Sequence, residues 1–136
     1  MSFVLPNFIL VDDSRLDCFI SEKIIKNTGQ SSSVRSFIEA EEALTFIKST
    51  PPNPNQTKTV ILLDIQMPVM SGFDFADAFE KLSDEHKRSY MIFMISSSTN
   101  ETDRMRIGNY PSIKALFKKP LNKEVIEDIV AQVLTV

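Results

Sequence analysis

The sequence is short of several things, and each shortage closes off a class of function. It holds one cysteine, Cys18, so no internal disulfide can form and no cysteine-based metal spacing exists, which suits a reducing compartment. Its three glycines form no Gly-rich loop of the kind that cradles a nucleotide phosphate. The net charge of −3 leaves no basic footprint for nucleic acid. No apolar run approaches membrane-spanning length, and Met1 to Pro6 lacks the basic start and apolar core of a signal peptide. A cytoplasmic protein with neither a membrane nor a nucleic-acid partner is expected. No internal repeat, low-complexity tract, helix-turn-helix or appended catalytic domain is visible. The 136 residues, 43% hydrophobic and 24% charged, suit a single domain over 1–136, with its core from about 8 to 134.

What the chain does have is a set of short, unbroken apolar runs. Phe8–Val11, Val60–Leu63 and Tyr90–Ile95 show no alternation, so each reads as a strand buried on both faces. Ile113–Phe117 adds a further strand, and Val34–Phe37, with polar residues at alternate positions, reads as an edge strand. Helical spacing fills the gaps. Ser14 and Asp17 mark a helix start, and Leu16, Phe19, Ile20 and Ile24 make its expected apolar face. Ala40, Ala43, Leu44 and Ile47 place a helix over 39–49, and Phe75, Ala78, Phe79 and Leu82 mark another. Residues 50–59, with three prolines, read as a surface loop, and 83–88 as a polar turn. Residues 100–108 make a weak helix whose only large apolar residues are Met105 and Ile107. Ile126, Ile129, Val130 and Val133 give a closing helix. Strands alternating with helices call for an α/β fold, a doubly wound five-stranded parallel sheet with helices on both faces.

Four of the strands end in chemistry: Asp12-Asp13, Asp64, Ser96 and Lys119. Parallel strands carry such ends to one edge. In the flavodoxin-like order 2-1-3-4-5, Asp13 and Asp64 lie on neighbouring strands, about 5 Å apart at the backbone. Lys119 is two strands away, about 10 Å, a gap its long stem can close. Converging carboxylates repel, and a divalent cation relieves them; an all-oxygen set with few protein donors suits Mg²⁺. Lys119 would supply a compact positive charge for a phosphoryl group, and Ser96 a hydroxyl. Asp64 could then act as a nucleophile and form an acyl phosphate.

These residues give the chain its resemblance to a known family. Asp12-Asp13, Asp64 within Leu-Leu-Asp-Ile-Gln-Met-Pro, the Ser71-Gly72 turn, Ser96 after an apolar strand and Lys119-Pro120 together resemble the receiver domain of two-component response regulators, of the stand-alone kind. The resemblance spans Phe8 to about Leu134. It implies that Asp64 accepts phosphate from a histidine kinase or phosphotransfer protein, switching a surface that an unknown downstream protein reads. It implies Mg²⁺ held directly by Asp13, Asp64 and the backbone carbonyl of Gln66, with Asp12 helping through water. It also implies a cis peptide before Pro120. One position departs from the pattern. Where such domains often carry a switching aromatic, three residues before the lysine, this chain has Leu116; its aromatic is Phe117, expected on the opposite face.

Other readings stand beside this one. Asp12-Asp13 can serve as a helix cap, and Ser97, Ser98 and Thr99 share the turn chemistry of Ser96. An aspartyl phosphatase needs a second acid two residues after its nucleophile, where this chain has Gln66. A phosphorylation-independent binding module and a phosphorelay intermediate are the remaining alternatives; the sequence favours neither over a signalling switch, and no enzyme is expected. Cys18 reads as a core or boundary residue and His86 as part of a solvated turn. Met67 and Met70 are placed beside the pocket.

Overall fold

The computed structural model describes residues 4–53, 56–98 and 100–134. Thr99, Pro54 and Asn55 of the expected loop, and the two chain ends lie outside the described residues. Within them, strands and helices follow one another as β1 (Asn7–Val11), α1 (Arg15–Thr28), β2 (Ser33–Phe37), α2 (Ala40–Ser49), β3 (Thr59–Asp64), α3 (Gly72–Glu80), α4 (Asp84–Arg88), β4 (Tyr90–Ser96), α5 (Glu101–Ile107), β5 (Ile113–Lys118) and α6 (Lys123–Leu134). All strand pairs are parallel, in the order β2-β1-β3-β4-β5. The α/β reading holds in class, strand number and strand order.

The unbroken apolar runs have the cause expected of them. On β1, β3 and β4, successive residues enter opposite cores. Ile9, Val11, Ile61, Leu63, Ile92 and Met94 join α2 and α3 on one face. Phe8, Leu10, Val60, Leu62, Met91, Phe93 and Ile95 join Ile25 of α1 and the apolar stripe of α6 on the other. Both faces need apolar side chains, so no polar alternation survives. β2 lies at the edge and carries no buried residue.

Two expectations are corrected. Residues 84–88 form a short helix rather than a turn, because Ser83 Oγ accepts from His86 N–H and caps it. The larger correction concerns α1. Leu16, Phe19 and Ile20 are exposed, at 66%, 57% and 42%, while Cys18 and Ile25 are buried. The helix is rotated away from its most apolar stripe. Its rotation is fixed at its first turn, where Cys18 Sγ donates to Asp12 O at 3.4 Å and the Asp17 carboxylate is drawn to Lys119. A tertiary anchor overrides the local hydrophobic pattern.

β5 contains an irregularity that alternation does not reveal. Ile92 pairs with Ile113 but Phe93 pairs with Ala115, so Lys114 is an extra residue. The bulge leaves Ile113 and Leu116 in the α2/α3 core, and sends Phe117 to the other side, where its ring lies 6.0 Å from that of Phe93. Leu116 and Phe117 thus face opposite ways, as expected.

Candidate functional site at the carboxyl edge of the sheet

Among the described residues, the buried polar or charged side chains are Asp12, Asp64 and Ser96. All three lie at the carboxyl ends of β1, β3 and β4. A folded chain does not bury charge without compensation, so their concentration at one edge marks a site.

The backbone sets their positions. Val11 pairs with Leu63, so the residues that follow, Asp12 and Asp64, emerge side by side. Asp12 N–H donates to Phe37 O on β2, which pins the end of β1. Asp64 is opposite Ile95, one residue before Ser96. Gly72 closes the other side: its N–H donates to Ile65 O at 2.8 Å, and a Cβ at this position would meet the Asp64 carbonyl and come within 2.8 Å of Ile65 Cα. Glycine is needed here for close approach rather than for an unusual dihedral.

Lys119 reaches across the edge as its stem length allows. Its main chain is fixed by Lys119 N–H donating to Ser96 O at 2.8 Å, and the Lys119–Pro120 peptide is cis. Its ammonium donates to Asp12 Oδ2 at 2.7 Å, Asp17 Oδ2 at 3.0 Å and Asp64 Oδ2 at 3.4 Å. Burial by itself would depress this lysine, but hydrogen bonds to Asp12 and Asp17 and the charges of Asp64 and Asp12 outweigh it, holding its pKa above the ordinary value. Lys118 is exposed, so Lys119 alone of the pair points inward.

Asp64 is the strained member. Its carboxyl is raised to about 6 on balance: burial pushes it up, Lys119 pulls it down, Asp12 pushes it up, and the Gln66 N–H, donating to Oδ1 at 3.3 Å, pulls it down. One ammonium faces the carboxylates of Asp12, Asp17 and Asp64, with exposed Asp13 beside them. One oxygen from each of Asp12, Asp13 and Asp64 can be chosen so that all lie within 4.8 Å of one another. An excess of hard, anionic oxygens at that spacing fits a divalent cation, so the donor set passes the chemical test for a metal.

The other expected residues divide. Ser96 is buried at the same edge, but its hydroxyl is turned onto its own loop: it donates to Ser98 O at 2.7 Å and accepts from Ser98 N–H at 3.2 Å. It would have to rotate to serve a group on Asp64. Met67 and Met70, with Val69, Glu39 and Ala40, line a groove of about 370 Å³ that opens beside Asp13. The sequence reading gave Asp17 only a role at the helix start; its place on Lys119 was missed. The available signal was its spacing, one helical turn beyond Asp13.

Comparisons with known proteins agree with this geometry. Residues 8–131 match the response regulator receiver domain family. The chain is 33% identical to a response regulator receiver protein from Dyadobacter fermentans of known crystal structure, with a TM-score of 0.83 over 93% of this chain and 95% of that one. It is 30% identical to stress response regulator protein 1 of Meyerozyma guilliermondii, over 93% of this chain and 56% of the relative. It is 28% identical to the sensor histidine kinase CheAY of Helicobacter pylori, over 90% of this chain and 14% of the relative. The chain therefore spans about half of one curated relative and a small part of the other. Among the described residues no helix is long and apolar enough to cross a membrane. The strand order, the edge site and the match over 8–131 lead to one conclusion: this chain belongs to the response regulator receiver domain family.

Proposed function

We propose that this receiver domain is a phosphorylation-controlled switch in which Asp64 accepts a phosphoryl group from the histidine of a kinase or phosphotransfer protein. The observation that carries the reading is the convergence of Lys119 Nζ on Asp12 and Asp64 while Asp13 stands alongside. That one relative is a sensor histidine kinase supports a histidine donor. Asp13, Asp64 and the Gln66 carbonyl would hold Mg²⁺, with Asp12 behind them. When bound, the cation would offset the repulsion between Asp64 and the incoming phosphoryl oxygens.

Each residue has a task. An Asp64 oxygen forms the new bond to phosphorus as the donor's phosphorus–nitrogen bond breaks, and the nitrogen leaves with that electron pair. Lys119 neutralises charge on the transferring group. Ser96 turns from Ser98 towards the new oxygens and changes the β4–α5 loop. α5 suits a responsive element, since it has seven residues and none is buried. Leu116, buried at 7% exposure, would respond by repacking, because no aromatic occupies its position.

Incubation with a small phosphodonor and Mg²⁺, followed by intact mass measurement, tests the reading. A gain of one phosphoryl group that disappears in Asp64→Ala is expected. No gain, or a gain that persists in that variant, overturns it.

A further inference from the structure

Two helices of this protein begin with the same Ser-x-x-Asp pattern and use it differently. At α3, Ser71 accepts from Asp74 N–H and the Asp74 carboxylate returns to Ser71 N–H, a closed capping box. At α1, Asp17 N–H donates to Ser14 Oγ, but the return bond is absent. Asp12 Oδ1 takes the Ser14 N–H instead, at 3.0 Å. Asp17 is thereby freed from its local task, and its carboxylate lies 3.0 Å from Lys119 Nζ. The lysine is closer to Asp17 than to Asp64.

We infer that Asp17 is a positioning residue that holds Lys119 on the α1 side of the pocket and must release it when Asp64 is phosphorylated. The inference rests on the phosphoacceptor reading of Asp64 and deepens it. An ammonium has three N–H groups, and here three carboxylates share them. The contact to Asp64 is the longest, so a phosphoryl oxygen on Asp64 takes it over by drawing the ammonium towards the sheet edge, and that shift lengthens a bond to one of the other two carboxylates. Asp12 is ill suited to give way, because its side chain is 4% exposed and water cannot replace the lysine. Asp64 carries the new group. Asp17 is 39% exposed, so water takes over its oxygens at little cost. The Asp17–Lys119 pair thus stabilises the unphosphorylated protein and opposes phosphoryl transfer to Asp64. It also ties the first turn of α1, next to exposed Leu16, to the state of the site.

The test compares wild type, Asp17→Asn, Lys119→Met and the double variant, using phosphoramidate and Mg²⁺ with intact mass as the readout. Exchange of the Lys119 ammonium protons is followed by NMR without donor. Asp17→Asn should accelerate phosphorylation by about two- to fivefold, the factor a partly exposed ion pair is worth. It should have no effect in the Lys119→Met background, and Lys119 proton exchange should quicken. An unaccelerated Asp17→Asn, equal acceleration in both backgrounds, or unchanged Lys119 exchange overturns the inference. If Lys119→Met takes up no phosphate, the exchange measurement decides. A wild type that takes up no phosphate overturns the phosphoacceptor reading instead, while the exchange measurement still reports on the tether.

Discussion

Gly72 lies so close to Asp64 that a Cβ at position 72 would press on the Asp64 carbonyl, although the two residues belong to different elements. The first residue of α3 therefore sets the wall against which the end of β3 rests. Gly72→Ala should destabilise the fold by about 1–3 kcal/mol, the usual cost of overpacking. It should also lower phosphate uptake, because the colliding atoms are main chain and cannot swing away. Denaturant titration and intact mass measurement check both effects. Unchanged stability would show that the loop from Ile65 to Ser71 yields freely.

The raised carboxyl of Asp64 gives stability a predictable pH dependence. Its ordinary value is 3.8, and burial lifts it to about 6 in the folded state. Between those values the folded protein holds a proton that the unfolded chain has lost, so stability falls as pH rises through that window. Lys119, raised above an ordinary value that is already alkaline, stays charged throughout and adds no slope there. Asp64→Asn should stabilise the protein at about pH 7.5 by on the order of 1–3 kcal/mol, with the gain nearly gone below about pH 4. Urea titrations of both proteins in metal-free buffer measure this. An equal difference at both pH values would contradict it.

Magnesium should stabilise the native chain by mass action. At a hundredfold excess over its Kd the gain is about 2.7 kcal/mol, seen as a rise in Tm of several degrees. Asp13 is exposed, so Asp13→Asn should fold normally while abolishing most of the rise. Thermal denaturation across a MgCl₂ series distinguishes this from general salt effects, for which the variant would respond like wild type.

Val69 offers the opposite kind of change. Its φ is 67°, its side chain is fully exposed, and a β-branched residue is ill suited to the left-handed region. Val69→Asn should raise stability by about 0.5–1 kcal/mol, since asparagine tolerates that conformation and no packing is lost. A drop in the denaturation midpoint would mean that the valine makes a contact that holds the loop.

The sequence was most legible where one local rule sufficed. Val60–Leu63 declares a strand buried on both faces because every second residue is needed by a different core. Asp12-Asp13 alone can be a helix cap, but with Asp64, Ser96 and Lys119 at matching strand ends they mark a candidate site. The register of β5 was less legible, since an extra residue at Lys114 has no periodic signature.

Two features lay beyond any local pattern. Leu16, Phe19 and Ile20 have helical spacing, yet they face outward, because α1 is clamped at Asp12 and Lys119 rather than turned by its own apolar stripe. Asp17 carries a helix-start signature, but residues far along the chain decide what its carboxylate does. Composition and spacing determined the layers and set Asp12-Asp13 and Asp64 at strand tips, since burial and chain connectivity leave few alternatives. Only the tertiary structure decided how α1 is rotated and how one ammonium is shared among three carboxylates, because those outcomes depend on distances between strand ends that no stretch of sequence encodes.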